Sequence, residues 1–423
     1  MINRSFYSHM AIGLLLFITV SCKDVLPPTI KGEPTHIRAM YKSDPATSVV
    51  IGWNRFRGKT RLDKLYWDTV DHGDDLEAYR NVESPDYRTF YFGIYSAFVE
   101  LENLAPNSRV YFVIANSYGV TQRYYVDTLP DSRDAKLSFI AGGDSRNHRD
   151  VRQNANSLVA KLKPHAVLFG GDMTDKGLPG EWHNWFEDWQ LTIDSDGRVT
   201  PIVPARGNHE LSNKILHKLF WLPSGNYYTL RMADGLVQTY VLNSEMSVGG
   251  NQLTWLKREL EKNTDVVWQF AVYHKPMRPH VASKSEGTNE YKYWAQLFYD
   301  HSVDLVMESD SHSVKSTWPI RPSTEPGSDE GFIRDDENGT VYVGEGCWGA
   351  PTRAADDNKS WTRDSDEFNQ FKLIHVSQDQ VDVRTINVDN AYEVGENSLE
   401  ERFELPENLM IWTPENGDIV TIR

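Results

Sequence analysis

The chain has 423 residues, with 44 Lys plus Arg against 60 Asp plus Glu and a formal net charge of −16. That balance argues against a nucleic-acid binder, which neutralises backbone phosphates with an excess of basic side chains. It leaves room for a small phosphorylated substrate, because a bound metal inverts the local field. At 39% apolar, 25% charged and 12% aromatic, the composition excludes wholesale disorder, the length suggests two domains, and two cysteines cannot build a disulfide framework.

In chain order, Arg4 precedes an apolar run over 10–20, and Ser21 stands before Cys22. The run is too short to remain as a membrane span, so residues 1–22 are expected to be a removed targeting segment. Thr19-Val20-Ser21-Cys22 resembles a bacterial lipobox, which implies that Cys22 becomes the lipid-modified first residue of an exported lipoprotein; a plain secretory signal is the alternative. The expected location is the outer membrane, the periplasm or the cell surface, with membrane contact through the lipid anchor only. Residues 23–33, containing Pro27-Pro28, read as a short extended tether.

Residues 34–130 alternate β-rich runs with turn clusters, as in Ser48-Val49-Val50-Ile51-Gly52-Trp53, Phe90-Tyr91-Phe92-Gly93-Ile94-Tyr95 and Val110-Tyr111-Phe112-Val113-Ile114-Ala115. This spacing predicts an all-β sandwich. The stretch from Leu104 to Phe112, Leu-Ala-Pro-Asn-Ser-Arg-Val-Tyr-Phe, resembles the corner of a fibronectin type III domain. No residue set here supports chemistry, so a spacer or docking module is expected.

From about residue 135 the pattern becomes strand, polar loop, helix. Leu137-Ser138-Phe139-Ile140-Ala141 runs into Gly143-Asp144, and Ala166-Val167-Leu168-Phe169 into Gly171-Asp172. Pro201-Ile202-Val203-Pro204 leads to Gly207-Asn208-His209-Glu210, a run over 266–273 ends at His274, and one over 303–308 leads to Asp310-Ser311-His312. Helical periods fill 151–162 and 251–262. Asp or Asn after a strand is often only a helix N-cap. Five strands each delivering a metal-capable side chain past the C-terminal end describe an α/β layout with its site at the carboxyl edge of a sheet. Carboxylates, an amide oxygen and neutral imidazoles are the ligands of divalent metals, and a metal pair activates water for attack at phosphorus.

In this order the blocks Gly143-Asp144, Gly171-Asp172, Gly207-Asn208-His209-Glu210 and His274-Lys275-Pro276, with Gln252-Leu253-Thr254-Trp255-Leu256 and an aromatic helix over 182–189, resemble the calcineurin-like metallophosphoesterases. Within them the likeness is to the purple-acid-phosphatase-like branch, which carries a fibronectin-type domain ahead of the catalytic one. The resemblance implies a four-layer αββα sandwich over 135–390, preceded by the all-β domain and followed by an extension over 391–423. It implies Asp144 and His312 on a first metal, Asp172 bridging, Asn208 and His274 on a second, and a metal-bound hydroxide as nucleophile. His209 would protonate the leaving alkoxide, with Glu210 orienting its imidazole.

Departures from the family pattern shape the expectation further. Ser309-Asp310-Ser311-His312 stands where the family has Gly-His-x-His, and Asp175 stands where purple iron enzymes have a tyrosine. Counting Asp175 and Asp310 as ligands makes the set oxygen-rich, which favours Mn²⁺, Mg²⁺ or Ca²⁺ over zinc or iron and predicts a colourless protein. Arg146 is placed to grip a phosphate oxygen, with a surface salt bridge as the alternative. Trp348 and Arg353, in a loop that lies near the metals in the family, would shape the substrate pocket, with core packing and a turn as the alternative. Cys347 reads as a buried free thiol. The expectation is a metal-dependent phosphate-ester hydrolase acting on a small substrate. The alternatives are a phosphodiesterase or other oxyanion-ester hydrolase, and a surface binding protein whose metal domain is degenerate.

Overall fold

A computed structural model describes residues 33–56, 62–223, 225–262 and 264–423. Cys22 and the expected targeting segment lie outside the described residues. Short apolar runs in Leu137–Gly142, Ala166–Phe169 and Pro201–Pro204 make three parallel strands, in register through Ile140, Val167 and Ile202. These strands are buried on both faces, as their continuous apolar runs require. The hairpin Gln370–Val376 and Val381–Asn387 lies antiparallel beside Leu137–Gly142. It thereby extends the first sheet.

The second sheet has seven strands, centred on the parallel set Val237–Val241, Trp268–Val272, Leu305–Met307 and Val341–Gly344. Side chains alternate across it. Phe270, Val272, Leu305 and Met307 join the core shared with the first sheet, while Ala271, Tyr273 and Val306 face a separate cluster with Leu256, Leu260 and Phe298. Helices Arg149–Leu162 and Pro179–Trp189 cover the first sheet with Leu158, Val159, Trp182, Trp185, Phe186 and Trp189. Helices Gly250–Lys262 and Gln296–Asp300 cover the second. The result is the helix, sheet, sheet, helix layering that the sequence predicted.

The β-rich N-terminal segment forms Thr35–Met40, Val49–Phe56, Tyr87–Tyr91 and Ile94–Leu101 on one sheet, and Lys64–Asp68, Asn81–Glu83, Arg109–Ala115 and Tyr124–Asp127 on another. Thr35–Met40 pairs in parallel with Pro201–Pro204, Ala39 opposite Pro201, so the first of these sheets is continuous with the one built on Leu137–Gly142, Ala166–Phe169 and Pro201–Pro204, in a single ten-stranded sheet. The run 90–95, expected as one strand, is instead a hairpin corner: Phe92 and Gly93 take φ of 40° and 97°, a left-handed turn that glycine relieves. Towards the C-terminus Val420–Ile422 pairs antiparallel with Val381–Asn387, and Ile411 contributes a single bridge to Ile386. Among the described residues no helix is long and apolar enough to cross a membrane.

Candidate metal centre

The loops at the C-terminal ends of strands from both sheets meet at one place. Asp144, Asp172, Asp310 and His312 all hold left-handed backbone, with φ of 59°, 57°, 66° and 62°. Four non-glycine residues in that region mark tight turns held in place by their surroundings. Asp144, Asp172 and His274 are buried, and each offers a ligand atom within 4.8 Å of the other two. His312 Nε2 lies 3.1 Å from Asp144 Oδ1 on one side. On the other, His274 Nε2 lies 3.0 Å from Asn208 Oδ1, 3.4 Å from Asp172 Oδ1 and 3.5 Å from Asp310 Oδ1.

Each imidazole is fixed by its other nitrogen. His274 Nδ1 donates to the Gly170 carbonyl at 2.8 Å, and His312 Nδ1 to the Pro351 carbonyl at 2.8 Å. Both Nε2 atoms therefore face the cluster, the arrangement in which a backbone carbonyl sets the tautomer of a ligand histidine. Burial resists charge on His274, but Asp172 and Asp144 outweigh it and hold its pKa well above the usual value. Burial would raise Asp172, yet His274 and His209 keep its carboxyl below the usual range. The field that draws a proton onto His274 is the field that attracts a divalent cation.

Asp172 Oδ2 is buried and accepts no hydrogen bond; Arg146 Nε stands 3.5 Å and His209 Nε2 3.7 Å from it. An orphaned buried carboxylate oxygen at the centre of such a donor set is costly unless something charged completes it. Space is kept clear for it: a Cβ on Gly346 would stand 2.1 Å from Asp144 Oδ2. The residues present fit divalent metal ions.

Of the remaining predicted site residues, Arg146 reaches in, contacting Asp175 Oδ1 at 3.1 Å and His312 Nε2 at 3.4 Å. His209 is partly exposed at the rim, and its Nδ1 meets the Asp175 backbone carbonyl. Four expectations are corrected by geometry. Glu210 does not orient His209: its buried carboxylate accepts the amides of Gly207, Asp172 and Met173 at 2.7, 3.0 and 2.7 Å, tying together two of the site loops. Burial and the charge of Asp172 push its pKa up to about 7. The carbonyl of Asp175 takes the orienting place, and the Asp175 carboxylate is engaged by Arg146 rather than turned into the cluster. Trp348 does not line a pocket. It is fully buried, donates from Nε1 to Asn156 Oδ1 at 2.9 Å and packs on Phe169 and Phe371. Arg353 grips the backbone of the histidine loop, from NH1 to the carbonyls of Ser311 and Asp310 at 3.1 and 3.3 Å. Cys347 is a buried free thiol, as expected.

Sequence reasoning missed two features. A polar cavity of about 730 Å³ opens beside Asn208 and Asp310, lined also by Ser244, Lys275, Lys284 and Tyr293. Lys284 Nζ pairs with Asp310 Oδ2 at 2.8 Å; it sits in a loop with no motif around it. Behind the site, Lys315 Nζ lies 2.5 Å from both Glu308 Oε2 and Glu345 Oε1, all three excluded from solvent.

Residues 141–314 match the Metallophos family, described as calcineurin-like phosphoesterase. An uncharacterized protein of Mycobacterium tuberculosis is 23% identical over 310 residues, covering 60% of this chain and 58% of the relative. The chain thus spans a little over half the length of that relative. The probable glycerophosphodiester phosphodiesterase GpdQ of Arcobacter nitrofigilis is 28% identical over 127 residues, 28% of this chain and 44% of that protein. Among solved structures, a purple acid phosphatase from yellow lupin (Lupinus luteus) superposes with a TM-score of 0.70 at 13% identity, over 92% of this chain and 74% of its own. PhoD gives 0.64 at 12% identity, over 85% and 88%. These structural likenesses are of fold. The family match covers the loops that carry Asp144, Asp172, Asn208, His274 and His312, so residues 141–314 are similar to a calcineurin-like phosphoesterase domain.

Proposed function

We propose that the chain is a hydrolase of phosphate esters that works with two divalent metal ions. The observation that supports it most is the buried meeting of Asp144, Asp172 and His274 around the unpartnered Oδ2 of Asp172. Asp144 and His312 would hold one ion, Asn208, His274 and Asp310 the other, with Asp172 shared between them. Such ions supply an activated water and offset negative charge at phosphorus.

The chain's own residues do the rest. Arg146, held by the Asp175 carboxylate, presents guanidinium N–H groups at the site and binds a non-bridging phosphate oxygen. His209 Nδ1–H donates to the Asp175 carbonyl, which points Nε2 at the cluster. From Nε2 the imidazolium gives a proton to the leaving oxygen, the role a positioned histidine fills in general acid catalysis. The leaving group enters the polar cavity, where Ser244, Tyr293 and the carboxylate-paired Lys275 and Lys284 favour an alcohol bearing hydroxyl substituents. Both a monoester and a diester meet these requirements.

The test is hydrolysis of p-nitrophenyl phosphate and bis(p-nitrophenyl) phosphate by the chelated chain reloaded with Mn²⁺, beside Asp172→Asn. Metal-dependent turnover of either ester, absent from the variant, is expected. Absence of turnover of both esters with Mn²⁺, Mg²⁺, Ca²⁺ or Zn²⁺ would overturn the proposal in favour of a binding protein built on the same fold.

A further inference from the structure

The C-terminal extension folds back over a donor-rich cavity that plays no part in the phosphoesterase site. The cavity, of about 690 Å³, is walled by Ser108, Arg109 and Thr128 of the N-terminal β-rich segment, by His165, and by Arg402 of the extension. Its volume is that of a small-molecule site, roughly 300–1,000 Å³. His165 precedes strand Ala166–Phe169 and bonds to the backbone of Ser138, whose partner across the sheet is His375. Phe403 packs on both imidazoles, with ring centroids 6.2 and 5.6 Å away, and so holds its neighbour Arg402 at the cavity wall.

Cations outnumber buried anions here. Asp127 is shared by Arg109 Nε at 3.0 Å and Arg198 Nε at 3.4 Å. Arg402 forms no ion pair with any described carboxylate, and its Nε is buried without a hydrogen-bond partner. Burial and the charge of Arg198 push its pKa down to about 10, so it stays charged at neutral pH. Its NH1 meets His165 Nε2. The Ser138 amide donates to His165 Nδ1 at 3.0 Å, and burial and Arg402 keep the ring neutral, so the imidazole hydrogen sits on Nε2. Two donors therefore face each other, which an acceptor lying against both would relieve. Tyr41 adds a third donor: it is 1% exposed, its hydroxyl has no hydrogen-bond partner, and it lies in the field of Arg198, Asp127 and Arg402. We propose that this cavity binds a small organic anion, whose phosphate or carboxylate oxygens accept from the Arg402 guanidinium and from His165 Nε2–H. A guanidinium fork matches either group, and an unpaired charge held largely away from water is costly until an anion completes it. The bound anion ties the C-terminal extension to the N-terminal β-rich segment.

The test is independent of the phosphoesterase reading, because it uses the chelated full chain and reads binding, not turnover. Inorganic phosphate and citrate are titrated calorimetrically at neutral pH and matched ionic strength, which screens diffuse surface charge. Saturable binding of at least one of them, at a single site per chain, is expected. Arg402→Gln should weaken it about 10–100-fold, the loss that follows from removing a hydrogen bond to a charged group, while Arg146→Gln leaves it unchanged. Tighter binding of phosphate assigns a phosphorylated ligand, and tighter binding of citrate a carboxylate one. Should Arg402→Gln fold poorly by circular dichroism, Arg109→Gln, whose side chain is 31% exposed, serves instead and is expected to weaken binding several-fold. No saturable binding of either anion at about 10 mM, or binding that Arg146→Gln abolishes and that neither Arg402→Gln nor Arg109→Gln alters, would overturn the proposal.

Discussion

Replacing Lys315 with Met removes the one ammonium that sits between two buried carboxylates. Nζ is 2.5 Å from Glu308 Oε2 and from Glu345 Oε1, and the three side chains are 1%, 0% and 0% exposed. Burial alone would lower the lysine's pKa; the two carboxylates outweigh it and raise it. Breaking a buried pair costs about 3–5 kcal/mol, and this deletion leaves two like charges together, so a loss of about 4 kcal/mol is expected at pH 8. Proton uptake sets the ceiling. The variant's carboxyl gains a folded-state pKa above its unfolded value, so its stability is complete at low pH and is lost as pH rises. The deficit should therefore shrink as pH falls from that raised folded-state pKa towards the unfolded value, by at most about 1.4 kcal/mol per pH unit, the slope of one proton. Urea unfolding followed by tryptophan fluorescence between pH 5 and 8 measures this. Glu345 also accepts the His312 amide through its carbonyl at 2.8 Å, so a displaced Glu345 disturbs a metal-ligand loop and metal affinity falls in parallel. A triple variant with Gln at 308 and 345 should recover most of the stability, because no unpaired charge remains buried. A deficit below about 1 kcal/mol at pH 8, or one that does not change with pH, would refute the reasoning.

Other outcomes follow from the same geometry. Gly346→Ala places a Cβ against Asp144 Oδ2 at a backbone φ of 89°; metal affinity is expected to fall well before secondary structure does, read by Mn²⁺ titration beside circular dichroism. His209→Gln should lower kcat about 10²–10⁴-fold on esters with poor leaving groups and far less on nitrophenyl esters, which need no proton. Asp175→Asn loosens Arg146 and should raise KM without changing metal stoichiometry, whereas Asp310→Asn should weaken one metal; equal effects on both readouts would contradict the separation drawn between them. His375 is lowered to about 4, chiefly by burial. The unfolded chain protonates it first as pH falls through about 6.5, so stability is lost between that pH and about 4, by about 1–3 kcal/mol given its partial exposure, and His375→Gln should flatten that part of the acid-unfolding curve.

The strand-end residues were legible because a short apolar run followed by Gly-Asp or Gly-Asn-His-Glu states both the element and the side chain delivered at its end. Directions were not. Asp175 and Glu210 lie close to ligands in sequence, yet Arg146 captures the first and three amides capture the second, and all of those partners but the Gly207 amide arrive from other loops. Trp348 follows a strand in a glycine-rich loop, which reads as a pocket wall; burial against Phe169 and Phe371 decides otherwise. Lys284 carries no local signal, because its role comes only from where its loop lies over Asp310. The continuous ten-stranded sheet was equally hidden, since pairing of Thr35–Met40 with Pro201–Pro204 joins residues far apart in the chain.

Mn²⁺ titration of the chelated chain, with electron paramagnetic resonance and phosphate-ester turnover recorded on the same samples, bears most directly on the proposed two-metal site. Two ions per chain with a spin-coupled signal, and turnover that rises with the second equivalent and vanishes in Asp172→Asn, is the predicted result. A single uncoupled ion, or full occupancy without turnover of monoester or diester, would contradict it.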